Sequence, residues 1–182
     1  MYKKIPLYLP DLDLSKIQGP YQEGYGAFFH SFNILDYDYV HDLVGQQIKF
    51  HIPPSNFSFT TVIFRGVPDA HTDASMTALN YYITSSQAIT RFYQAVDPNL
   101  KTMVPQRLGV GVGMDQRTFS YRPDNLIEID TFVANDHEAY LLNVHTIHKV
   151  TKSVHTPHRT MLRWLWYDVP FDQVLDSIEI LG

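Results

Sequence analysis

The sequence predicts a mainly β domain built from antiparallel sheets. Short apolar runs rich in β-branched and aromatic residues recur along the chain, and turn-forming residues separate them. No long helical crossover lies between these runs, so we expect sheets that close on each other as a jelly roll, the double-stranded β-helix of cupin-like proteins, with a few flanking helices. The predicted strands are Phe57–Phe64, Met76–Thr84, Ala88–Tyr93, Leu126–Val133, Ala139–Val150 and Arg159–Tyr167.

Two segments have the pattern of helices that pack outside the sheets. In Asp38–Ile48, four apolar side chains recur at helical spacing, and Asp38 can cap the first turn. Phe171–Leu181 predicts a short terminal helix.

The segment Asp97–Asn125 interrupts the regular spacing of strands. It contains three prolines and the alternating glycines of Gly109–Gly113, so we expect a long excursion over the surface or over the mouth of a pocket. The glycines are not framed by a strand and a helix, and no Lys-Ser or Lys-Thr pair follows them. They therefore indicate a flexible turn rather than a phosphate-binding loop.

Length, hydropathy and charge restrict the class of protein. A chain of 182 residues with 45% hydrophobic content can bury one sizeable core, so we expect residues 1–182 to form a single domain. No apolar run reaches about 18 residues, and prolines and aspartates interrupt the first segment, which predicts a cytoplasmic protein without a membrane anchor. The net charge of -5 and the dispersed Lys and Arg residues disfavour nucleic acid as a partner.

A metal site is predicted where two ligand-type side chains stand two positions apart. In an extended segment, residues at i and i+2 point to the same side, so His71 and Asp73 can present a nitrogen and a carboxylate oxygen to one ion. Because the chain has no cysteine, any further ligand must be His, Asp or Glu. On the predicted strand Ala139–Val150, His148 shares its face with apolar residues, whereas His145 lies on the other face. His148 is therefore the predicted third ligand.

One aspartate and two histidines on a jelly-roll frame form a facial triad. Such a triad leaves three positions open on a ferrous ion for a chelating co-substrate and for dioxygen. The commonest co-substrate, 2-oxoglutarate, needs a cation for the carboxylate that lies away from the iron. Arg159 stands eleven residues after His148 and opens a strand that we expect to pair antiparallel with the His148 strand through a turn containing Pro157. Arg163 lies on the same predicted face and is the alternative.

Four motifs follow one another between residues 57 and 168. They are a His-X-Asp motif at His71-Thr-Asp73, the strand Thr77–Ile83, a His-X-Val motif at His148-Lys-Val150, and Arg159 at the start of an aromatic-rich strand. In this order they resemble the Fe(II)- and 2-oxoglutarate-dependent oxygenases, particularly the prolyl-hydroxylase-like branch.

The resemblance implies a non-haem iron hydroxylase. Fe(II) would be held by the three side chains named above, and 2-oxoglutarate would chelate the iron and pair with Arg159. The Tyr81 hydroxyl would be a second contact to the co-substrate carboxylate, or Asn80 if the strand register differs by one residue. Dioxygen and 2-oxoglutarate would give succinate and carbon dioxide while a peptidyl side chain or a small metabolite is hydroxylated.

Other functions use the same residues differently. A cupin-type metal enzyme would keep the three ligands without an oxo acid, and a non-catalytic jelly-roll binding module would leave them at the surface. A zinc cluster is a further alternative, formed by His145, His148, His155 and His158. Histidines three apart on a strand face opposite ways, so this cluster requires a helical backbone. Nucleophilic catalysis has no support, because neither a cysteine nor a Gly-X-Ser-X-Gly motif is present.

Overall fold

The computed structural model describes residues 1–10, 12–22, 29–34, 36–63, 70–104, 118–151 and 158–181. These residues are mainly β, as predicted, and none of their helices is long and apolar enough to cross a membrane. The helices are α1 (Leu14–Ile17), α2 (Tyr37–Gly45) and α3 (Phe171–Asp176). The strands are β1 (Tyr2–Ile5), β2 (Gln18–Gln22), β3 (Phe29–Ile34), β4 (Ile48–Phe50), β5 (Asn56–Ile63), β6 (Ala70–His71), β7 (Thr77–Thr84), β8 (Ile89–Ala95), β9 (Lys101–Val104), β10 (Thr118–Tyr121), β11 (Leu126–Val133), β12 (Glu138–Asn143), β13 (Ile147–Thr151), β14 (His158–Trp166) and β15 (Ile178–Ile180).

Two curled antiparallel sheets form a half-barrel. The seven-stranded sheet has the order β1-β12-β7-β14-β5-β3-β2, and the six-stranded sheet has the order β11-β8-β13-β6-β10-β9. From β5 to β8, and again from β11 to β14, successive strands alternate between the two sheets. Successive strands in these two stretches therefore face each other across the interior instead of pairing side by side.

In its strands β12, β7, β14 and β5, the seven-stranded sheet is buried on both faces. Its inner face packs against the six-stranded sheet, and its outer face is covered by the helices and the N-terminal segment. The outer-face residues of β7 and β14 in the core are Leu79, Tyr81, Leu162, Trp164 and Trp166. The inner-face residues of the same strands in the core are Ala78, Tyr82 and Met161. Both tryptophans therefore pack on the outer face of β14.

Five of the six predicted strands are confirmed, with ends that differ by at most two residues. The sixth, Ala139–Val150, is wrong as a single strand, because β12 ends at Asn143 and β13 begins at Ile147 in the other sheet. The side-chain oxygen of Asn143 accepts a hydrogen bond from the backbone N–H of Thr146 at 3.3 Å, which closes the turn between them.

Both predicted helices exist but are shorter than expected. The cap of α2 is Asp36 rather than Asp38, since the Asp36 carboxylate accepts a hydrogen bond from the backbone N–H of Tyr39 at 2.8 Å. The predicted helix Phe171–Leu181 is wrong beyond Asp176, because the chain then forms β15, which pairs with β4. This pairing gives the backbone groups of the last described residues partners in a two-stranded ribbon.

The segment Asp97–Asn125 is not a continuous excursion. Its described ends form β9 and β10, an antiparallel pair that extends the six-stranded sheet beyond β6. Asn125 anchors the base of this hairpin, because its side chain accepts from the N–H of Asp97 at 2.8 Å and donates to the carbonyl of Asp97 at 2.7 Å. The glycine run Gly109–Gly113 lies outside the described residues.

The predicted pairing of the Arg159 strand with the His148 strand is wrong. β14 lies between β5 and β7 in the seven-stranded sheet, whereas β13 lies between β8 and β6 in the six-stranded sheet. The turn that contains Pro157 falls outside the described residues. Since the two strands belong to facing sheets, their inward side chains approach the interior from opposite sides.

Candidate metal centre

Two neighbouring strands of the six-stranded sheet bring the predicted ligands together. His71 ends β6 and lies directly opposite His148 of β13. Asp73 follows β6, and its backbone N–H donates to the carbonyl of Val144 at 2.9 Å. The backbone N–H of Thr72 donates to the carbonyl of Phe119 on β10 at 3.0 Å. The His71–Asp73 segment is therefore held by backbone bonds on both sides.

The three side chains converge on one point. Nε2 of His71 lies 3.5 Å from Oδ1 of Asp73, and Nε2 of His148 lies 3.8 Å from the same oxygen. All three ligand atoms lie within 4.8 Å of one another. Two atoms that each lie about 2.1 Å from a common ion are about 3.0 Å apart at a right angle and about 3.4 Å apart at a tetrahedral angle. Small side-chain rotations therefore suffice for coordination.

The centre is buried on one side and accessible on the other. The side chain of His148 is 9% exposed, whereas those of His71 and Asp73 are 24% and 22% exposed. The ring of Phe92, a core residue between the sheets, lies 6.3 Å from the ring of His148. A ligand or substrate could thus approach from the side of His71 and Asp73, while apolar packing protects His148 from water.

The backbone fixes the state of His148. Its Nδ1 atom lies 3.0 Å from the carbonyl oxygen of Thr146, which can only accept a hydrogen bond, so Nδ1 carries the proton. Nε2, on the side of Asp73, then has a free lone pair. Burial lowers the pKa of His148, the Asp73 carboxylate acts in the opposite direction, and the resulting pKa is about 4. His148 is therefore neutral near pH 7, as a metal ligand must be.

Arg163 is the partner of Asp73, a role that the sequence interpretation did not foresee. Its Nη2 atom donates to Oδ2 of Asp73 at 2.6 Å. Burial by itself raises the pKa of the Asp73 carboxyl, but the Arg163 cation and a hydrogen bond from His71 hold that pKa well below its ordinary value. Asp73 is thus a carboxylate, with Oδ2 bound to Arg163 and Oδ1 directed to the two histidines.

Arg159 lies on the inner side of β14, two and four residues before Met161 and Arg163. It is buried, and its guanidinium carbon lies 5.5 Å from the centroid of the Tyr82 ring. Burial lowers the pKa of this guanidinium, whereas Tyr82 acts to raise it. The predicted co-substrate cation therefore belongs to the interior of the half-barrel, where a buried cation favours the binding of an anion.

The structure does not bring Tyr81 to this group. Tyr81 is on the outer face, where its hydroxyl accepts a hydrogen bond from the backbone N–H of Leu9 at 3.0 Å and lies 3.2 Å from Nδ1 of His137. The register of β7 against β14 explains the difference, because Tyr81 lies opposite the outer-face residue Leu162.

Two neighbours of Tyr81 are on the inner face instead. Asn80, the alternative in the sequence, lies opposite Arg163, and Tyr82 lies opposite Met161. The amide nitrogen of Asn80 donates to the hydroxyl of Tyr82 at 3.3 Å. The sequence interpretation missed Tyr82. Because the tryptophans lie on the outer face, the alternation along β14 places Arg159 and Arg163 on the inner face. The register between β14 and β7 is needed to identify Tyr82 as their neighbour.

The alternative zinc cluster has little support among the described residues. His145 is exposed in the turn between β12 and β13, whereas His148 is buried. His155 and the side chain of His158 lie outside the described part of the structure. In the part that is described, His71, Asp73 and His148 are the one group found with metal-binding geometry.

Comparisons with known proteins do not assign a family to this chain. No protein-family model matches the sequence, and a search of curated proteins finds no significant match. Function must therefore be inferred from the fold and from the geometry of the candidate metal centre.

Proposed function

We propose that this protein is an Fe(II)- and 2-oxoglutarate-dependent oxygenase that hydroxylates a peptidyl side chain or a small metabolite. The observation that carries the proposal is the convergence of His71, Asp73 and His148, whose ligand atoms lie within 4.8 Å of one another. Two imidazoles and one carboxylate are the donor set of non-haem ferrous centres that keep coordination positions open.

The proposal includes a double-stranded β-helix as the fold. Alternation of successive strands between two facing antiparallel sheets supports it, since β5, β7, β12 and β14 lie in one sheet and β6, β8, β11 and β13 in the other. Of the three ligands, His71 and His148 lie in the six-stranded sheet and Asp73 directly follows β6, whereas both arginines come from the facing strand β14. An ion and an anionic co-substrate would thus be held between the sheets.

The charges around the centre favour a dianionic co-substrate. Near pH 7 His148 is neutral, Asp73 contributes one negative charge, and Arg159 and Arg163 contribute two positive charges. Arg159 is buried on the inner face of β14, and it is the cation that we assign to the distant carboxylate of 2-oxoglutarate. Asn80 and Tyr82, rather than Tyr81, are the polar neighbours on that face of β7.

The bound iron would supply the activation of dioxygen, and the side chains have separate tasks. His71, Asp73 and His148 would hold the ion through one atom each, which would leave other positions open to ligands. The Thr146 carbonyl keeps the proton on Nδ1 of His148, so that Nε2 stays available. The apolar core around Phe92 keeps water from the buried side of the site.

The direct test is dioxygen-dependent formation of succinate. The anaerobically iron-loaded protein is mixed with 2-oxoglutarate, and succinate is measured before and after exposure to air. We expect uncoupled turnover in the wild type and a loss of more than about a hundredfold in Asp73→Ala and His148→Ala, because each removes a ligand. The controls Asp124→Ala and His41→Ala remove exposed side chains of the same types and should retain activity.

The outcomes separate the rival functions. Metal binding that depends on Asp73, without oxygen-dependent succinate, would reject the oxygenase and favour a cupin-type metal enzyme. Wild-type metal affinity in Asp73→Ala would reject the centre itself and favour a non-catalytic binding module.

A further inference from the structure

The carboxylate of Asp73 contacts a cation of the chain itself. Nη2 of Arg163 lies 2.6 Å from Oδ2 of Asp73, and the two side chains are 15% and 22% exposed. If Asp73 is a metal ligand, as the proposed function requires, one carboxylate must serve two cations. The two oxygens divide this task, since Oδ1 is the atom near His71 and His148.

We infer that Arg163 is a positioning residue that restricts Asp73 to coordination through one oxygen. A carboxylate that gives Oδ2 to a guanidinium cannot chelate an ion with both oxygens unless that hydrogen bond breaks. Chelation by Asp73 would occupy one more position on the ion. By holding Oδ2, Arg163 keeps that position available for a ligand from solution. The inference rests on the proposed metal centre but not on the identity of the co-substrate.

The backbone of Arg163 is firmly placed. It lies in the middle of the seven-stranded sheet, paired with Ser58 on β5 and with Asn80 on β7. The next residue, Trp164, stacks on Phe57 with ring centroids 4.7 Å apart on the outer face. A side chain that starts from a rigid strand can hold a metal ligand more accurately than one on a loop.

Arg163 also balances the charge of the Asp73 carboxylate. Removing one partner of a buried ion pair leaves an uncompensated charge, which costs more stability than the intact pair contributes. With a chelator present, the effects of substituting Arg163 and Asp73 on stability should therefore be strongly non-additive. The same chain provides a matched exposed pair, because Nη2 of Arg122 lies 2.8 Å from Oδ2 of Asp124 with side chains 77% and 67% exposed.

The first test uses Co²⁺ as a spectroscopic probe of the metal centre. Visible absorption is recorded while Co²⁺ is titrated into the wild type, Arg163→Met, Arg163→Lys and the control Arg122→Met. We expect about tenfold weaker binding and an altered Co²⁺ absorption spectrum in Arg163→Met, because Asp73 then changes its coordination. Arg163→Lys keeps a cation and should stay within about threefold of the wild type, and Arg122→Met should match it.

Either of two results would overturn the inference. One is a wild-type Co²⁺ affinity and spectrum in Arg163→Met. The other is an equal loss of affinity in Arg163→Met and Arg163→Lys with an unchanged spectrum, which is the behaviour of a packing residue.

The second test needs no metal and covers the case in which Arg163→Met folds poorly. The substitution is made in the wild type and in Asp73→Asn, and thermal unfolding is measured with a chelator present. We expect the midpoint to fall by about 6 °C or more when Asp73 is charged and by less than half as much in Asp73→Asn. If Arg163→Met alone does not fold but Arg163→Met combined with Asp73→Asn does, the result shows the same coupling between the two residues. Equal effects in both backgrounds, including loss of folding in both, would contradict it.

These results remain distinct from a failure of the proposed function. If the wild type binds Co²⁺ and Arg163→Met shows the expected change, the positioning role stands even when no succinate forms. If succinate forms and Arg163→Met is spectroscopically normal, the oxygenase stands and the positioning role fails.

Discussion

The carbonyl of Thr146 determines what His148 can do, although it touches no metal-binding atom itself. It accepts from Nδ1 at 3.0 Å and so leaves Nε2 unprotonated on the side of Asp73. Asp73 has a comparable division, since Arg163 takes one oxygen and the histidines face the other. His148 and Asp73 are thus each oriented by a hydrogen bond to a group that is not itself a candidate metal ligand.

Substitution of Arg159 tests the proposed binding of 2-oxoglutarate. Arg159→Met preserves most of the volume but removes the buried cation, so the KM for 2-oxoglutarate should rise about ten- to a hundredfold, the loss of one charge-assisted hydrogen bond. Steady-state succinate formation measures it, with the exposed Arg122→Met as control. Metal affinity in Arg159→Met should remain close to that of the wild type. An unchanged KM in this variant would remove Arg159 from the co-substrate site.

The sequence predicts the three side chains that converge at the candidate metal centre but not their surroundings. Spacing alone predicts that His71 and Asp73 point to one side, because alternation in an extended segment is local. The sequence predicts neither the outer-face position of Tyr81 nor the hydrogen bond of Arg163 to Asp73. Both depend on the register between β7 and β14. Register is a long-range property, and a shift of one residue exchanges the faces of a strand.

Glu138 at the start of β12 links this strand to β1 and to the turn that precedes β12. Its carboxylate accepts from Lys4 of β1 at 2.5 Å, from the backbone N–H of Asn135 at 3.0 Å and from the hydroxyl of Tyr140 at 2.7 Å. Burial by itself raises the pKa of Glu138, but the hydrogen bonds outweigh it and lower the pKa from 4.5 to about 2.

This shift predicts an acid-dependent loss of stability. Because the folded pKa lies below the unfolded one, the contribution of Glu138 is complete above about pH 4.5 and disappears as the pH falls towards about 2. Glu138→Gln should therefore lower the free energy of unfolding at about pH 6 and have a much smaller effect at about pH 2.5. Urea unfolding at both pH values measures the difference. An equal effect at both would contradict the assignment.

The ends of a strand can be predicted where an apolar run gives way to turn-forming residues. They cannot be predicted where the sequence stays apolar through a turn. The strand Leu126–Val133 was predicted with its observed ends, because turn formers flank it on both sides. The turn at Val144–Thr146 was missed because it joins two buried strands without glycine or proline. The side chain of Asn143 closes it with a hydrogen bond, and an isolated asparagine is a weak signal in a sequence.

At the scale of the whole molecule, metal binding and folding should be linked. The three ligands are brought together only when β6 and β13 are paired, so an unfolded chain has no preformed site. Any ligand that binds the folded state alone raises its stability in proportion to the logarithm of the ligand concentration over the dissociation constant.

A divalent metal should therefore raise the midpoint of thermal unfolding. At about 100 times the dissociation constant the gain is about 2.7 kcal/mol. For a chain of this size, that gain corresponds to a midpoint higher by roughly 5–10 °C. Differential scanning calorimetry with Co²⁺ and with a chelator measures the shift, and Asp73→Ala should abolish it. A shift of equal size in Asp73→Ala would place the metal elsewhere.

Whole-molecule organisation was only partly predictable from the sequence. The recurrence of short apolar runs indicated antiparallel sheets, and the structure is mainly β with curled antiparallel sheets. The sequence did not show which sheet each strand joins, so the strands of His148 and Arg159 were wrongly expected to pair. Sheet membership depends on contacts between segments far apart along the chain, and local patterns do not encode them.

The pairing of β6 with β13 joins two points that are far apart along the chain. An ion held by His71 and His148 would close the whole intervening segment, from β7 through β12, into a ring. Because the chain contains no cysteine, no disulfide can provide such a cross-link. Coordination would thus be a reversible substitute for one, made when the ion arrives and undone by any chelator strong enough to remove it.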